Sequence, residues 1–364
     1  MKEGQFRNPS GCAISAIFDR SGKRFSGEDI IKSIAIMHDR SNGLGGGFAA
    51  YGIYPEYKDY YAFHVFYDSL ASKRECEEYL EKRYDIVNLS KIPTRKIKEI
   101  TDEPLIWRYF VAPLKTRLDS SQLSPDEFVA KSVFFVNLHI KGAYVFSSGK
   151  NMGIFKAVGF PEDVGRFYLL ENYEGYCFTA HGRYPTNTPG WWGGAHPFGL
   201  LSLSVVHNGE ISSYDANRSA METYGYHCSL LTDTEVIAYI IDYLTRRKGL
   251  SYEETASVVA APFWQTIERA APEEKARLTY LRSTFASQLV TGPFSIIVGY
   301  DGGIMALNDR LKLRSLVTAE KGDKVYVASE ESAIRIVEPD ATNVRHPRGG
   351  EPVIYNLYSK EVRQ

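Results

Sequence analysis

The chain is poor in cysteine. Its 364 residues contain four, Cys12, Cys76, Cys177 and Cys228, and no two are close in sequence. That scatter excludes a CxxC redox or zinc pair and a clustered iron–sulfur motif. There is no run approaching 18 apolar residues, so no transmembrane helix is expected. The opening MKEGQFRNPSG lacks the apolar stretch of a secretory signal. Neither charge is in excess: 43 basic residues face 44 acidic ones, a formal net charge of −1, which argues against a nucleic-acid coat protein. GxxxxGK[ST], HExxH, GxSxG and EF-hand loops are all missing. Gly43-Leu44-Gly45 follows a helix pattern rather than a strand and has the wrong spacing for a dinucleotide loop. These absences lead to a cytoplasmic protein with reduced thiols, no bound metal, and neither nucleic acid nor membrane as partner.

What is present suffices for a folded core, with 44% hydrophobic and 24% charged residues. Ala13 to Asp19 reads as a buried strand. Ser26 and Asp29 read as a helix start, with Ile30, Ile31, Ile34 and Met37 at helical spacing. From about Tyr60 to Lys150 the chain changes character. Tyr61–Tyr67, Leu105–Val111 and Val133–Ile140 are strand candidates, and Ser72 with Glu75 is read as a capping box. This stretch carries no chemical motif and reads as an inserted embellishment. In the middle, Gly175 to His181 and Leu201 to Val206 are strands. Thr232/Glu235 and Ser251/Glu254 open helices, and Glu273 to Leu289 is helical. The tail returns to strands at Phe294–Gly299, Ile304–Leu307, Val325–Ala328 and Val353–Tyr358. Strands at both chain ends with helices between them favour a mixed or antiparallel sheet system over a doubly wound fold.

The chemistry concentrates in a few places. Arg183 ends a strand before a Pro-rich loop, where a guanidinium can clamp a carboxylate. His207-Asn208-Gly209-Glu210 also ends a strand. An Asn amide beside a glycine N–H can supply two donors to one oxygen, although Asn-Gly is equally a common hairpin turn. Asp233 opens a helix, where it can bind an ammonium or simply cap the helix. Cys12 lies at the start of the first strand, and a buried structural thiol is its plain reading. Together they say more than apart. A carboxylate clamp and an ammonium clamp describe an amino-acid backbone. A thiol and an oxyanion hole describe attack on a carbonyl. The substrate that combines them is an amino acid with a side-chain amide, most simply glutamine.

The sequence resembles class II (N-terminal nucleophile) glutamine amidotransferases, and among them the stand-alone glutaminase-domain subunit of archaeal-type glutamate synthases. The resemblance is carried by Gly11-Cys12-Ala13-Ile14, His38 to Gly47, Arg183 to Thr188, Ala195 to Phe198, His207 to Glu210, Thr232 to Glu235 and Ala328 to Glu331. It implies an α+β fold, a four-layer αββα N-terminal-nucleophile hydrolase sandwich with an inserted α/β embellishment over about residues 60–150. It implies Cys12 as nucleophile and Asn208 and Gly209 as oxyanion donors. Arg183, Thr186, His207 and Asp233 would form the glutamine pocket, and Arg40 would support the nucleophile strand, although Ser41 stands where many members have glycine. In the family the nucleophile is usually the first residue, and its α-amine serves as base. Residues 1–11 are therefore expected to be a leader whose removal frees the Cys12 amine, leaving residues 12–364 as one amidotransferase domain.

The function expected on these grounds is hydrolysis of glutamine to glutamate through a Cys12 thioester, with ammonia delivered to a synthase partner. The first reading is glutamate synthase acting on 2-oxoglutarate. No cofactor is expected on this chain, and FMN and iron–sulfur clusters would belong to the partner subunit. The alternatives are an amidotransferase-like subunit of a methylamine–glutamate methyltransferase or other amidotransferase complex, and a non-catalytic scaffold subunit that keeps the fold.

Overall fold

The computed structural model describes residues 11–184 and 190–358. Ala13–Asp19 is buried along its whole length, as its run of apolar and small residues requires, because a strand covered on both faces cannot alternate. It sits at the centre of an antiparallel sheet. On one side it pairs with Cys177–Gly182, then Gly46–Tyr51 and Met152–Ala157. On the other it pairs with Lys324–Ala328, then Val317–Lys321 and Thr342–Arg345. The registers Ala13↔Gly182 and Ser15↔Ala328 tie residues from both chain ends to one strand.

A second antiparallel sheet runs Phe198–Leu200, Leu203–Gly209, Phe294–Tyr300, Gly303–Asn308, Val353–Asn356. Its strands Leu203–Gly209 and Phe294–Tyr300 face Ala13–Asp19 and Cys177–Gly182 of the first sheet. The helices Glu28–Ala35, Pro161–Phe167 and Glu331–Arg335 cover the outer face of the first sheet, and Asp233–Asp242 covers the second. The order of layers is therefore helix, sheet, sheet, helix. The amphipathic spacing seen in the sequence does this work: Ile30 and Ile34, four apart, are wholly buried.

Residues of the 60–150 stretch form a third antiparallel sheet, Tyr84–Lys91, Leu105–Pro113, Tyr61–Tyr67, Ala143–Ser147, with the helices Leu70–Glu81 and Pro125–His139. Two expectations change here. Val133–Ile140 is not a strand but the second half of Pro125–His139. Ser124 caps that helix by accepting from Glu127 N, and Phe128, Val129, Ser132, Val133 and Val136 bury one face at helical spacing. The helix read as opening at Ser72 starts earlier, at Leu70. Ser69 is its cap, because the reciprocal pair is Ser69 with Ser72. The apolar side chains of this sheet and its helix, among them Phe63, Val65 and Val129, pack in one cluster with Val205, Val236 and Ile240 of the main layers. A cavity of about 720 Å³ lies along the seam, walled by Phe66, Tyr144, Trp191 and Leu230 among others. Among the described residues no helix is long and apolar enough to cross a membrane.

Candidate active site

Cys12 stands one residue before the central strand and is half-buried. Its sulfur accepts a hydrogen bond from Tyr184 N at 3.3 Å. Its carbonyl is gripped by Arg40, whose Nε and Nη2 donate at 3.3 and 3.2 Å, while Nη1 pairs with Glu330 at 2.9 Å. Arg40 thus holds the strand entrance by its backbone and has its charge matched by Glu330. Burial pushes the Cys12 thiol up, and nearby Asp233 adds to this. The Tyr184 N–H, Arg183 and Arg314 pull the other way but do not outweigh it. The resting sulfur is therefore a thiol that needs a base before it can attack.

Arg183 leaves the end of Cys177–Gly182 and is almost fully buried. Its backbone is fixed on both sides. Its N–H donates to Gly45 O at 2.9 Å, and its carbonyl accepts from Ser41 Oγ at 3.0 Å. Ser41 thus supplies through its hydroxyl a bond that a glycine at this position could not make. Gly45, at φ +150°, lies so close that a Cβ there would stand 3.1 Å from Arg183 Cδ. Burial lowers the Arg183 guanidinium from its ordinary value, and Cys12 and Asp233 partly restore it. These three groups share one electrostatic neighbourhood.

Asp233 is the first residue of Asp233–Asp242, capped by Thr232 through Glu235 N. One Asp233 oxygen accepts from Ile211 N at 3.2 Å, and the other accepts from the Thr234 hydroxyl at 3.2 Å. His207 Nδ1 lies 3.5 Å from Asp233 Oδ1 and 3.2 Å from Thr234 Oγ1. Burial works against charge on Asp233. The charge and hydrogen bond of His207, then Ile211 N and Thr234, overcome it and hold the carboxyl below its usual range. His207 itself is fully buried, with its Nδ1 set against Asp233 and Thr234.

Asn208 and Gly209 end the strand Leu203–Gly209. Asn208 is wholly buried. Its Nδ2 donates to Ser329 Oγ at 3.3 Å, and the same oxygen accepts from Ile14 N at 3.1 Å. Asn208 Oδ1 is buried without a partner among the described residues and points to within 4.0 Å of where a Cβ on Gly11 would sit. Gly209, at φ +143°, could not carry a side chain, since its Cβ would meet Pro293 O at 2.0 Å. Cys12, Arg183, the adjacent pair Asn208 and Gly209, and Asp233 thus converge from four segments. Thr186 lies outside the described residues.

Several residues here take no role at the site from the sequence alone, although Ser329, His196 and Glu235 lie in the segments that carry the resemblance. Arg314 comes from the turn after Gly303–Asn308, and its Nη1 is 3.3 Å from the Gly11 Cβ position. Ser329 links Asn208 to the nucleophile strand. Beneath them, His181 Nε2 faces His207 O at 2.9 Å and its ring stacks on His196 at 4.2 Å. Burial drives the imidazoles of both His181 and His196 well below their ordinary value. Lys156, fully buried, donates to Gly193 O at 2.8 Å, and burial lowers its ammonium to about 7. Glu235 receives the N–H groups of Ser229 and Leu230, and burial lifts its carboxyl to about 7. Arg314 and Ser329 belong to no spacing rule: a turn brings the first here, and the pairing of Lys324–Ala328 with the central strand brings the second.

Comparison with known proteins identifies the family of the chain. The family model of class-II glutamine amidotransferases matches residues 68–362. An uncharacterised protein of Archaeoglobus fulgidus is 49% identical over 358 residues, covering 98% of this chain and 94% of that one. A provisionally named glutamine amidotransferase of Methanothermobacter thermautotrophicus is 26% identical, covering 95% of this chain and 100% of that one. Among solved structures, the glutamine phosphoribosylpyrophosphate amidotransferase of B. subtilis aligns with a TM-score of 0.46 at 15% identity. This chain, 95% covered, spans 47% of that enzyme.

Proposed function

The chain belongs to the class II glutamine amidotransferases, and from that premise we propose that it is the glutaminase subunit of a glutamate synthase, passing ammonia from glutamine to 2-oxoglutarate on a flavin-bearing partner. The observation that carries the glutaminase half is the convergence of Cys12, Arg183 and Asp233 within mutual electrostatic reach. A buried cation and a held anion flank a thiol, which suits the carboxylate and ammonium of an amino acid whose side chain ends at the sulfur.

In the proposed mechanism Arg183 takes the glutamine carboxylate and Asp233 its ammonium. The leader is removed, and the freed Cys12 amine accepts the thiol proton. The sulfur then attacks the amide carbon. Gly209 N–H and Asn208 Nδ2 stabilise the oxyanion, each worth about 3 kcal/mol. For this the Asn208 amide must present its NH₂ to the site. A half-turn does so and gives the unpaired Oδ1 the Ser329 hydroxyl as donor, since that hydroxyl still accepts from Ile14 N. The amine returns the proton to the leaving nitrogen, ammonia departs, and water hydrolyses the thioester to glutamate. FMN and iron–sulfur clusters belong, in this reading, to the partner that uses the ammonia.

Glutaminase assay of wild type beside Cys12→Ala tests the first half. Loss of roughly 10⁴-fold or more is expected, and equal activity would remove Cys12 from the chemistry. Purification with bound partners tests the second half. A co-purifying flavoprotein with iron–sulfur clusters supports glutamate synthase, and a partner without flavin replaces it with another acceptor.

A further inference from the structure

We propose that Arg314 is the cation that keeps the Cys12 sulfur reactive once glutamine is bound, a positioning residue that acts through Cys12 and not on the substrate. Its purpose rests on the glutaminase reading; its effect on the thiol does not.

Arg314 is placed by a rigid turn. The Asp309 carboxylate accepts from Leu311 N and Leu313 N, both at 2.9 Å, and from Phe294 N at 3.3 Å. The Arg314 carbonyl accepts from Asn308 Nδ2 at 3.0 Å. From this turn the guanidinium reaches inward to 3.3 Å from the Gly11 Cβ position. Its Nε is buried without a hydrogen-bond partner, and no carboxylate among the described residues lies within ion-pair distance of it.

The other charges facing Cys12 are committed. Arg40 holds the Cys12 carbonyl and is paired with Glu330. Arg183, from the end of its strand, and Asp233, from its helix, act on the thiol in opposite directions, and His207 lies behind Asp233. Glutamine brings a carboxylate to Arg183 and an ammonium to Asp233. Each of those protein charges then acquires its own counter-charge, and their net influence on the sulfur shrinks. Arg314 gains no counter-charge from the substrate. It is the cation left to favour thiolate over thiol, and, near a freed Cys12 amine, to keep that amine neutral and able to accept a proton.

The test is the pH dependence of iodoacetamide alkylation at Cys12, read by peptide mass, for wild type, Arg314→Gln, Arg314→Met and Arg314→Lys, with kcat/KM for glutamine measured alongside. Alkylation follows the thiolate fraction. Loss of the charge should move the midpoint up by about one unit, which is a tenfold slower reaction on the acid side of the midpoint. Gln and Met variants should shift together while Lys stays near wild type. Two neutral variants bracket any folding defect of either one, and a purely structural role would lower activity without moving the midpoint. Superimposed alkylation profiles for wild type and whichever neutral variant folds would overturn the proposal. A shifted midpoint in a protein that does not hydrolyse glutamine would leave Arg314 in place and remove the glutaminase reading instead.

Discussion

Asp233 keeps its charge because His207, Ile211 N and Thr234 outweigh its burial. A carboxyl held below its ordinary value stays ionised throughout the neutral range. The KM for glutamine should therefore show no Asp233 inflection between about pH 8 and pH 5, and Asp233→Asn should raise KM far more than it lowers kcat. An acid-side KM inflection that vanishes in the variant would count against this. Ser329 makes a different prediction. Ser329→Ala removes the donor that orients the Asn208 amide, so kcat should fall roughly tenfold or more with KM little changed, approaching the loss expected for Asn208→Ala. A change confined to KM would place Ser329 elsewhere in the cycle. These residues differ in how visible they are in sequence. Cys12, Arg183, Asn208 and Asp233 sit next to strand ends and helix starts that a reader can mark. Arg314 does not, because nothing local distinguishes an arginine in a polar turn from a solvated one; Ser329 does follow a marked strand, but its bond to Asn208 comes from a strand paired hundreds of residues away.

At the level of elements, buried strands such as Ala13–Asp19 and Phe294–Tyr300 are legible because their runs are short and bounded by turn residues, whereas Gly46–Tyr51 and Met152–Ala157, equally buried but glycine-bearing, are not. Pro125–His139 was not, since its last turns carry apolar residues on several faces and imitate a strand over eight residues. Tertiary packing against the Tyr61–Tyr67 sheet decides between the two. The junction between strand and turn at Gly209 is the most exacting backbone position of the site. Gly209→Ala puts a Cβ on Pro293 O in a conformation that L-residues avoid, so a loss of at least ~3 kcal/mol is expected in chemical denaturation. Lys156 and Glu235 join the Met152–Ala157 strand to the Asp233–Asp242 helix through a low-dielectric interior. Glu235 has its folded carboxyl at about 7, raised from 4.5, so its contribution is complete below the unfolded value and is lost as pH climbs through 7. Lys156, lowered to about 7 from 10.5, behaves in the opposite sense: its contribution is present above 10.5 and is lost as pH falls through 7. Glu235→Gln should remove the first dependence. Relative to wild type its stability should improve from pH 5 to pH 8, by up to ~3 kcal/mol, in thermal unfolding followed across that range. A constant difference across the range would show that Glu235 is ionised throughout.

On the scale of the whole molecule, the 60–150 sheet is read from sequence as an embellishment, yet its apolar face packs into the same cluster as the second sheet and its covering helix. Excision of residues 60–150 should therefore leave Val205, Val236 and Ile240 without their cover and give an insoluble or molten product, while the full chain unfolds in one calorimetric transition. Two separable transitions would make the insert a domain in its own right. The four-layer order was not deducible from periodicity alone, because each strand shows that it is buried but not which sheet it joins. The central strand adds a consequence of another kind. Cys12 is translated long before Arg314 and Ser329, the residues proposed above to act on it or on its oxyanion donor, and Ile14 is bonded to Ser329 across 315 positions. While the ribosome is still copying the message, the nascent thiol has no oxyanion donor held in place and no neighbouring guanidinium. On the function proposed above, a chain stopped short of Ala328 would leave glutamine untouched, and its hydrolysis would report that the Ile14 and Ser329 strands have met.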